Sequence, residues 1–228
     1  MCYPTTEIRM DSRFVKSVKR YALRFRKARF KLFEQIVAGF GREVRILDVG
    51  GFEAFWETMG FDLWTHHLTV INVPDQATPA RHSNVVSVVG DGTDMHQFKR
   101  GDFDIVFSNS VIEHVGDFES QRRMAAEVQR LSDTFFIQTP NYYFPIEPHF
   151  HVPYFQMMPL GVRAKLIENF QLGCMPRVPD KVEARRLAET TRLLSRREMT
   201  ELFPAARIEE ERVAGLTKSL IALRSGAT

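Results

Sequence analysis

Four short polar stretches, each closing an apolar run, have the residue types that a nucleoside would need. Asp48-Val49-Gly50-Gly51 follows V-R-I-L, Asn72 follows L-T-V-I, Asp91-Gly92 follows V-V-S-V-V-G, and Ser108-Asn109-Ser110 follows D-I-V-F. Glycines let backbone approach a ligand, and a helix beginning just beyond them offers unpaired N–H groups and a partial positive charge. A polar side chain about 20 residues later suits ribose hydroxyls, and an acidic one suits an adenine amine. Asn72 stands 22 residues after Gly50, with Val73 beside it, and Asp91 supplies the acceptor, followed by Gly92 and Thr93. Alone, the double-glycine turn reads equally well as an ordinary strand-to-helix turn. The set of four is more specific than any member. G-x-G-x-x-G is absent, which disfavours a nicotinamide enzyme.

Glu113 and His114 come directly after the fourth run and are placed to handle protons, since a histidine near its ordinary pKa is a natural proton acceptor. They serve equally well as a hydrogen-bonded pin for the turn, and both readings stand. His149 and His151 are two residues apart, so in an extended segment they would share one side. Together with Glu147 they make a weak metal pattern, because no scaffold defines it, and no metal is expected. One of the two histidines is expected to face the substrate. Tyr142 is expected to line the acceptor site because it directly follows T-P-N. The neighbouring Tyr143, Phe144, Phe150, Tyr154 and Phe155 are expected to be mainly core.

These residues must be held by strands and helices in alternation. Strands are expected at Val44–Val49, Leu68–Val73, Val85–Val89, Phe103–Phe107 and Thr134–Gln138, with helices at Glu53–Met59 and Glu119–Leu131. That rhythm implies an α/β fold with a doubly wound, mostly parallel sheet. A long helix is expected from Asp11 or Ser12 to about Ala38, with Phe14, Val18, Tyr21, Phe25, Ala28, Leu32 and Ile36 facing inward. Residues 141–194 break the rhythm with an aromatic, proline-rich stretch and two helix candidates, Leu160–Phe170 and Asp180–Leu194. They read as a cap inserted over the carboxyl ends of the strands. Ser195-Arg196-Arg197-Glu198 forms a capping box, and Ala206–Val213 with Ser219–Arg224 reads as a closing hairpin around Gly215. The chain thus divides into a basic amphipathic helix at 1–43 and an α/β domain at 44–228 carrying the cap.

The 228 residues suffice for one such domain with a sizeable core. A net charge of +3 demands no nucleic acid, and the two cysteines, Cys2 and Cys174, form no metal or redox pattern. No run is long enough to span a membrane and no signal-peptide core is present, so a cytoplasmic protein is expected. Arg13, Lys16, Arg20, Arg24, Lys27 and Lys31 put a basic side on the first helix. It reads as a solvated face, and it leaves peripheral contact with a membrane or an anionic acceptor open.

With I-L-D-V-G-G, V-V-G-D-G-T-D-M, F-D-I-V-F-S-N-S-V-I-E-H-V and F-I-Q-T-P-N, the chain from about Val44 to Arg224 resembles the class I S-adenosylmethionine-dependent methyltransferases of the small bacterial type. The resemblance implies a Rossmann-like seven-stranded sheet with an antiparallel last strand, and S-adenosyl-L-methionine as cofactor. It places Asp48, Gly50 and Gly51 along the methionine part, Asn72 and Val73 at the ribose, Asp91, Gly92 and Thr93 at the adenine, and Asn109 near the amino-acid end. Gly50 would face the cofactor closely enough that a valine would fill its space. Two departures stand out: Phe52 and Ala54 occupy positions where the family carries further glycines, and Asn72 stands where an acidic residue is usual. The implied activity is direct methyl transfer to a small or lipid-linked metabolite, with His114, Glu113, Tyr142, His149 and His151 around the acceptor. The alternatives are an RNA methyltransferase, for which no N-P-P-Y-type tetrad is present, and a non-catalytic binding subunit that keeps the fold.

Overall fold

The computed structural model describes residues 13–147, 149–173 and 175–226, with side chains from Leu23 onward. Cys2, Cys174 and the helix-starting Asp11 and Ser12 lie outside the described residues. Seven strands, β1 (Arg45–Val49), β2 (His67–Asn72), β3 (Val85–Val89), β4 (Ile105–Asn109), β5 (Phe135–Pro140), β6 (Arg207–Val213) and β7 (Leu216–Arg224), form one sheet. Their order is β3-β2-β1-β4-β5-β7-β6. Pairings from β3 through β5 are parallel, and β7 runs antiparallel to both β5 and β6. The expected mostly parallel sheet with one reversed strand is present. Its switch point lies between β1 and β4, which open a crevice at their carboxyl ends.

Side-chain alternation along the strands assigns the two faces. Ile46, Ile105, Phe107 and Phe136 join Phe30, Phe33 and Val37 of α1 (Arg13–Gly39) and Trp56 of α2 (Glu53–Met59). Leu47, Val106, Phe135 and Ile137 turn the other way, onto α3 (Phe118–Leu131) and α6 (Arg196–Leu202). Phe33 and Trp56 each lie 4.9 Å from the Phe107 ring and are fully sealed from water. Burying each such ring contributes about 2–3 kcal/mol. Over the described side chains the inward stripe of α1 differs from the expected one, whose Phe14, Val18 and Tyr21 lie outside that description. Phe30, Phe33 and Val37 are buried, whereas Ala28 is exposed and Phe25, Leu32 and Ile36 sit on the flank. Both stripes have helical spacing, and the one carrying two aromatic rings deep enough to reach β4 takes the core.

Local chemistry explains the element ends. Gly60 closes α2 in the left-handed conformation at φ 78, its N–H on the Glu57 carbonyl. The strand expected from Phe103 starts at Ile105, because the Asp104 carboxylate turns back to accept from the Arg45 backbone N–H at 2.8 Å and from the Arg42 guanidinium. Ser195 and Glu198 make the capping box of α6. The cap holds α4 (Leu160–Asn169) and α5 (Lys181–Thr190), which pack with Phe150 and Phe155 in a small separate core. Tyr143 and Tyr154 are exposed, contrary to the core role expected for most of these aromatics. Among the described residues, no helix is long and apolar enough to cross a membrane.

Candidate functional site

Beyond β1, Gly50 takes a left-handed backbone at φ +76 and donates its N–H to the Ile71 carbonyl at 2.8 Å. A Cβ there would stand 2.5 Å from Val111 Cγ1. The space beside Gly50 is therefore filled by Val111, rather than kept clear for a ligand as the sequence suggested. At Gly51 a Cβ would lie 1.7 Å from Asp48 Oδ2. The Asp48 carboxylate is folded under the turn, so Gly51 is required by an internal contact. Trp56 Nε1 donates to Asp48 Oδ2 at 2.7 Å, while Oδ1 is buried without a partner. Burial pushes the Asp48 carboxyl up to about 7, against the pull of the Trp56 hydrogen bond.

Asn72 ends β2 beneath the same turn. Its Nδ2 donates to the Gly51 carbonyl at 2.7 Å, and its Oδ1 is buried and unpartnered. The side chain expected at a ribose thus braces the turn with its amide nitrogen and keeps only the oxygen for a ligand. Phe52 is the extended N-cap of α2 and makes no side-chain capping bond. Val73 is exposed beside Asn72. Glu53 receives the backbone N–H groups of Arg81 and His82, both at 2.9 Å, which pins the loop between β2 and β3 against α2.

Asp91 is exposed after β3 and accepts from both the N–H and the hydroxyl of Thr93, at 2.8 and 2.9 Å. Gly92 presses this loop onto β1, since a Cβ would come within 2.7 Å of Val49 Cγ1. Asp91 is brought to the glycine turn in this way, and Thr93 serves it as a hydrogen-bond donor. Asn109 is half-buried at the end of β4, and Ser108 Oγ ties that strand to the Val49 carbonyl at 2.9 Å. The next residue, Ser110, holds a left-handed backbone at φ 58 while its hydroxyl donates to Gln138 Oε1. A non-glycine residue in this region stores strain of about 1–3 kcal/mol, which the Gln138 contacts hold in place.

The short helical turn Ile112–His114 carries the acid–base candidates. Glu113 is fully buried, its Oε2 accepts from the Thr139 hydroxyl at 2.9 Å, and its Oε1 has no partner. Burial pushes its carboxyl up. His114 reaches His149 of the cap, Nε2 to Nε2, at 3.1 Å with the rings edge to face. The His149 Nδ1 meets Glu147 Oε1 at 2.5 Å, and Glu147 Oε2 accepts the backbone N–H groups of His149 and Phe150. Desolvation by the surrounding protein, followed by the facing His149, holds His114 well below the usual imidazole value, although its edge stays open to solvent. His151 stands apart from this group. The segment turns at His151, φ 53, so the two histidines do not share a side, and the exposed His151 ring packs near Gly173.

Residues 35–133 match the family model described as "Methyltransferase domain". Over that stretch, less than half of its length, the chain is similar to a methyltransferase domain. Two uncharacterized proteins of Mycobacterium tuberculosis, MT1557 (strain CDC 1551 / Oshkosh) and Rv1509 (strain ATCC 25618 / H37Rv), are each 40% identical to it over 53 residues. Those matches take in 23% of this chain and 18% of each relative's own length. Among solved structures, the N-terminal domain of EvdMO1, crystallised in the presence of SAH and D-fucose, has a TM-score of 0.54 at 16% identity, covering 87% of this chain and 82% of that one. Magnesium protoporphyrin IX methyltransferase (ChlM) from Synechocystis PCC 6803, with bound SAM, has a TM-score of 0.53 at 11% identity, covering 94% and 86%. Both likenesses are at the level of the fold.

The carboxyl edge of the sheet thus holds Asp48, Asn72, Asp91, Asn109 and the Glu113–His114 turn. A cavity of about 1070 Å³ opens on the cap side, between the cap and the first turns of α3 and α6. Tyr142 lines it with Gln156, Arg163 and Arg192. Arg163 keeps a buried Nε without a hydrogen-bond partner, and burial lowers its pKa. Trp56 and Val111 are not singled out by the sequence, and Glu147, which the sequence offers only in a weak metal pattern, is instead the partner of His149. The signals for Trp56 and Val111 are a tryptophan in the first turn of the helix that follows the acidic strand end and a branched residue after Ser110.

Proposed function

We propose that the chain transfers a methyl group from S-adenosylmethionine to a small or lipid-linked acceptor. The observation that carries this reading is the pair of buried, unpartnered oxygens on Asp48 and Asn72, at the ends of adjacent strands on either side of the glycine turn. A buried acceptor without a donor costs about 1–3 kcal/mol, and a ligand bearing an ammonium and ribose hydroxyls has the donors that these two oxygens lack. Asp91 offers an exposed carboxylate for an exocyclic amine.

S-adenosylmethionine held between Asp48, Asn72 and Asp91 would supply a methyl group already activated by its sulfonium, with a neutral thioether as its leaving group. The chain's own work is alignment, water exclusion and, for an acceptor bearing a hydroxyl, removal of its proton. With His149 Nδ1–H donating to Glu147, His149 Nε2 accepts from His114 Nε2–H, which leaves His114 Nδ1 free to take that proton. The low His114 pKa keeps this ring neutral at pH 7. The exposed aromatic rings of Tyr143 and Tyr154 at the cap, and the basic side of α1, support an apolar or anionic acceptor.

Calorimetry with S-adenosylmethionine and S-adenosylhomocysteine tests the first half, and saturable binding is the expected result. Absence of heat at millimolar cofactor would favour the alternative of a non-catalytic binding subunit, which the inward-turned Asn72 amide supports. His114→Gln should lower turnover by about 10²-fold or more with cofactor affinity unchanged. Transfer of a labelled methyl group to lipid extract, small metabolites or RNA would discriminate the acceptor classes.

A further inference from the structure

We propose that Glu113, His114 and His149 form a binding site for a divalent transition ion of the zinc type, which holds the oxygen of the methyl acceptor. The second clause rests on the methyl-transfer reading, with the ion replacing His114 as the group that acidifies the acceptor hydroxyl, because a His114 ring ligated through Nε2 carries its proton on Nδ1. The site itself stands on geometry. One ligand atom from each of the three residues lies within 4.8 Å of the others. The two Nε2 atoms are 3.1 Å apart, close to the roughly 3.3 Å separation of two imidazole nitrogens on one tetrahedral zinc ion. Glu113 Oε1 is buried with no hydrogen-bond partner, and its sister oxygen is already held by Thr139. Glu113 thus has one oxygen without a donor and is grouped with two imidazole nitrogens. Among the described residues it faces a full positive charge only at longer range, on Arg29, so a cation in the group would complete its partners.

The surrounding contacts orient the ligands. Glu147 accepts from His149 Nδ1 and is itself fixed by two backbone N–H groups. This sets the tautomer so that the His149 Nε2 lone pair faces His114, the carboxylate–histidine arrangement that supports metal ligands. Glu113 and Glu147 together offset a double positive charge. Two nitrogens and one carboxylate leave at least one coordination position open, as in catalytic rather than structural sites, and suit zinc, cobalt or iron(II) better than magnesium. A second cluster, Glu53, Glu57 and His82, has comparable spacing. There, however, Glu53 already accepts two backbone N–H groups and Arg81 pairs with Glu57, so no ion is called for.

The test is titration of the metal-stripped, full-length chain with Co²⁺, followed by absorption, and with Zn²⁺, followed by calorimetry, both with Mg²⁺ in excess. Expected are one ion per chain, d–d bands of a four- or five-coordinate site, and about 100-fold or greater loss of affinity in Glu113→Gln, His149→Gln and His114→Ala. The exposed His114 gives a variant whose fold is not at risk, and circular dichroism checks the other two. Glu147→Gln should weaken binding about 10–100-fold by loosening His149, and His151→Gln should leave it unchanged. Folded wild-type protein that binds no Co²⁺ at millimolar concentration overturns the proposal, as does unaltered affinity in His114→Ala or displacement by Mg²⁺. The titration involves no methyl transfer, so its failure is distinct from a failure to bind S-adenosylmethionine.

Discussion

Replacing Asp48 by Asn should flatten the dependence of stability on pH. The Asp48 side chain is buried under Gly51 with a single hydrogen bond, from Trp56, and its carboxyl is raised from 3.8 to about 7. A carboxyl raised in the folded state stabilises the fold while it stays protonated. That contribution is complete below about pH 4 and is lost as pH climbs through about 7. At about 1.36 kcal/mol per pH unit, the whole gap corresponds to about 4 kcal/mol, of which about 2–3 kcal/mol falls between pH 5 and pH 8. Asparagine cannot ionise and still offers an oxygen to Trp56 Nε1, so its own cost is the same at both pH values. Urea unfolding of both proteins at pH 5 and pH 8 reads the difference directly. The wild type should lose about 2–3 kcal/mol more than Asp48→Asn over this interval. Parallel losses, within about 0.5 kcal/mol, would mean that Asp48 is ionised in the folded protein throughout, and the account of a carboxyl kept protonated by burial would fail.

Other substitutions probe the same turn. Gly51→Ala sets a Cβ 1.7 Å from Asp48 Oδ2 and should cost about 3 kcal/mol or more, with much of the loss recovered in the Asp48→Ala, Gly51→Ala double variant. Thermal unfolding of the four-member cycle checks this, and equal losses in both backgrounds would refute it. Gly50→Ala should lower the melting temperature of the cofactor-free protein through its contact with Val111 and its positive φ, whereas a purely ligand-facing glycine would change binding alone. Asp91→Ala removes two hydrogen bonds within an exposed turn and should change stability by only about 1 kcal/mol, while calorimetry shows a drop in S-adenosylmethionine affinity.

Much of the sheet could be read from the chain because its signals are local. Apolar runs ending in Asp48, Asn72 and Asp91 give β1 to β3 within a residue or two, and Ser195 with Glu198 marks the start of α6 without reference to anything distant. Long-range packing was not readable in the same way. Two helical stripes compete on α1, and only the depth of the β4 face selects Phe30 and Phe33 over Phe25 and Leu32. The glycines of the first turn were legible as glycines, but their reasons lie in Val111 and Asp48, which reach them only once the strands pair. His149 was chosen along with His151 on an extended geometry that the positive φ of His151 breaks. The partnership of His149 with His114, 35 residues away in the chain, comes from the docking of the cap, to which no local spacing points.

Both ends of the cap converge on the turn that carries Glu113, so the histidine pair depends on how the cap is fastened. His149 comes from its first part, and at the far end the Arg192 N–H donates to the Glu113 carbonyl at 2.8 Å. Gln121 of α3 completes the fastening. Its Nε2 donates to the carbonyls of Ile112 and Arg192, and its Oε1 accepts from the Arg192 guanidinium, all from a fully buried position. Gln121→Leu keeps the volume but strips two carbonyls of their donor, at about 1–3 kcal/mol each. If this side chain is the latch, the loss should be concentrated locally. Hydrogen exchange at Ile112–His114 and in the returning segment 191–194 should rise well before exchange at β1 and β4, and His114 should lose its contact with His149. A uniform rise across the whole sheet would show instead that Gln121 supports the domain core, and that the cap is held by Phe150 and its neighbours alone.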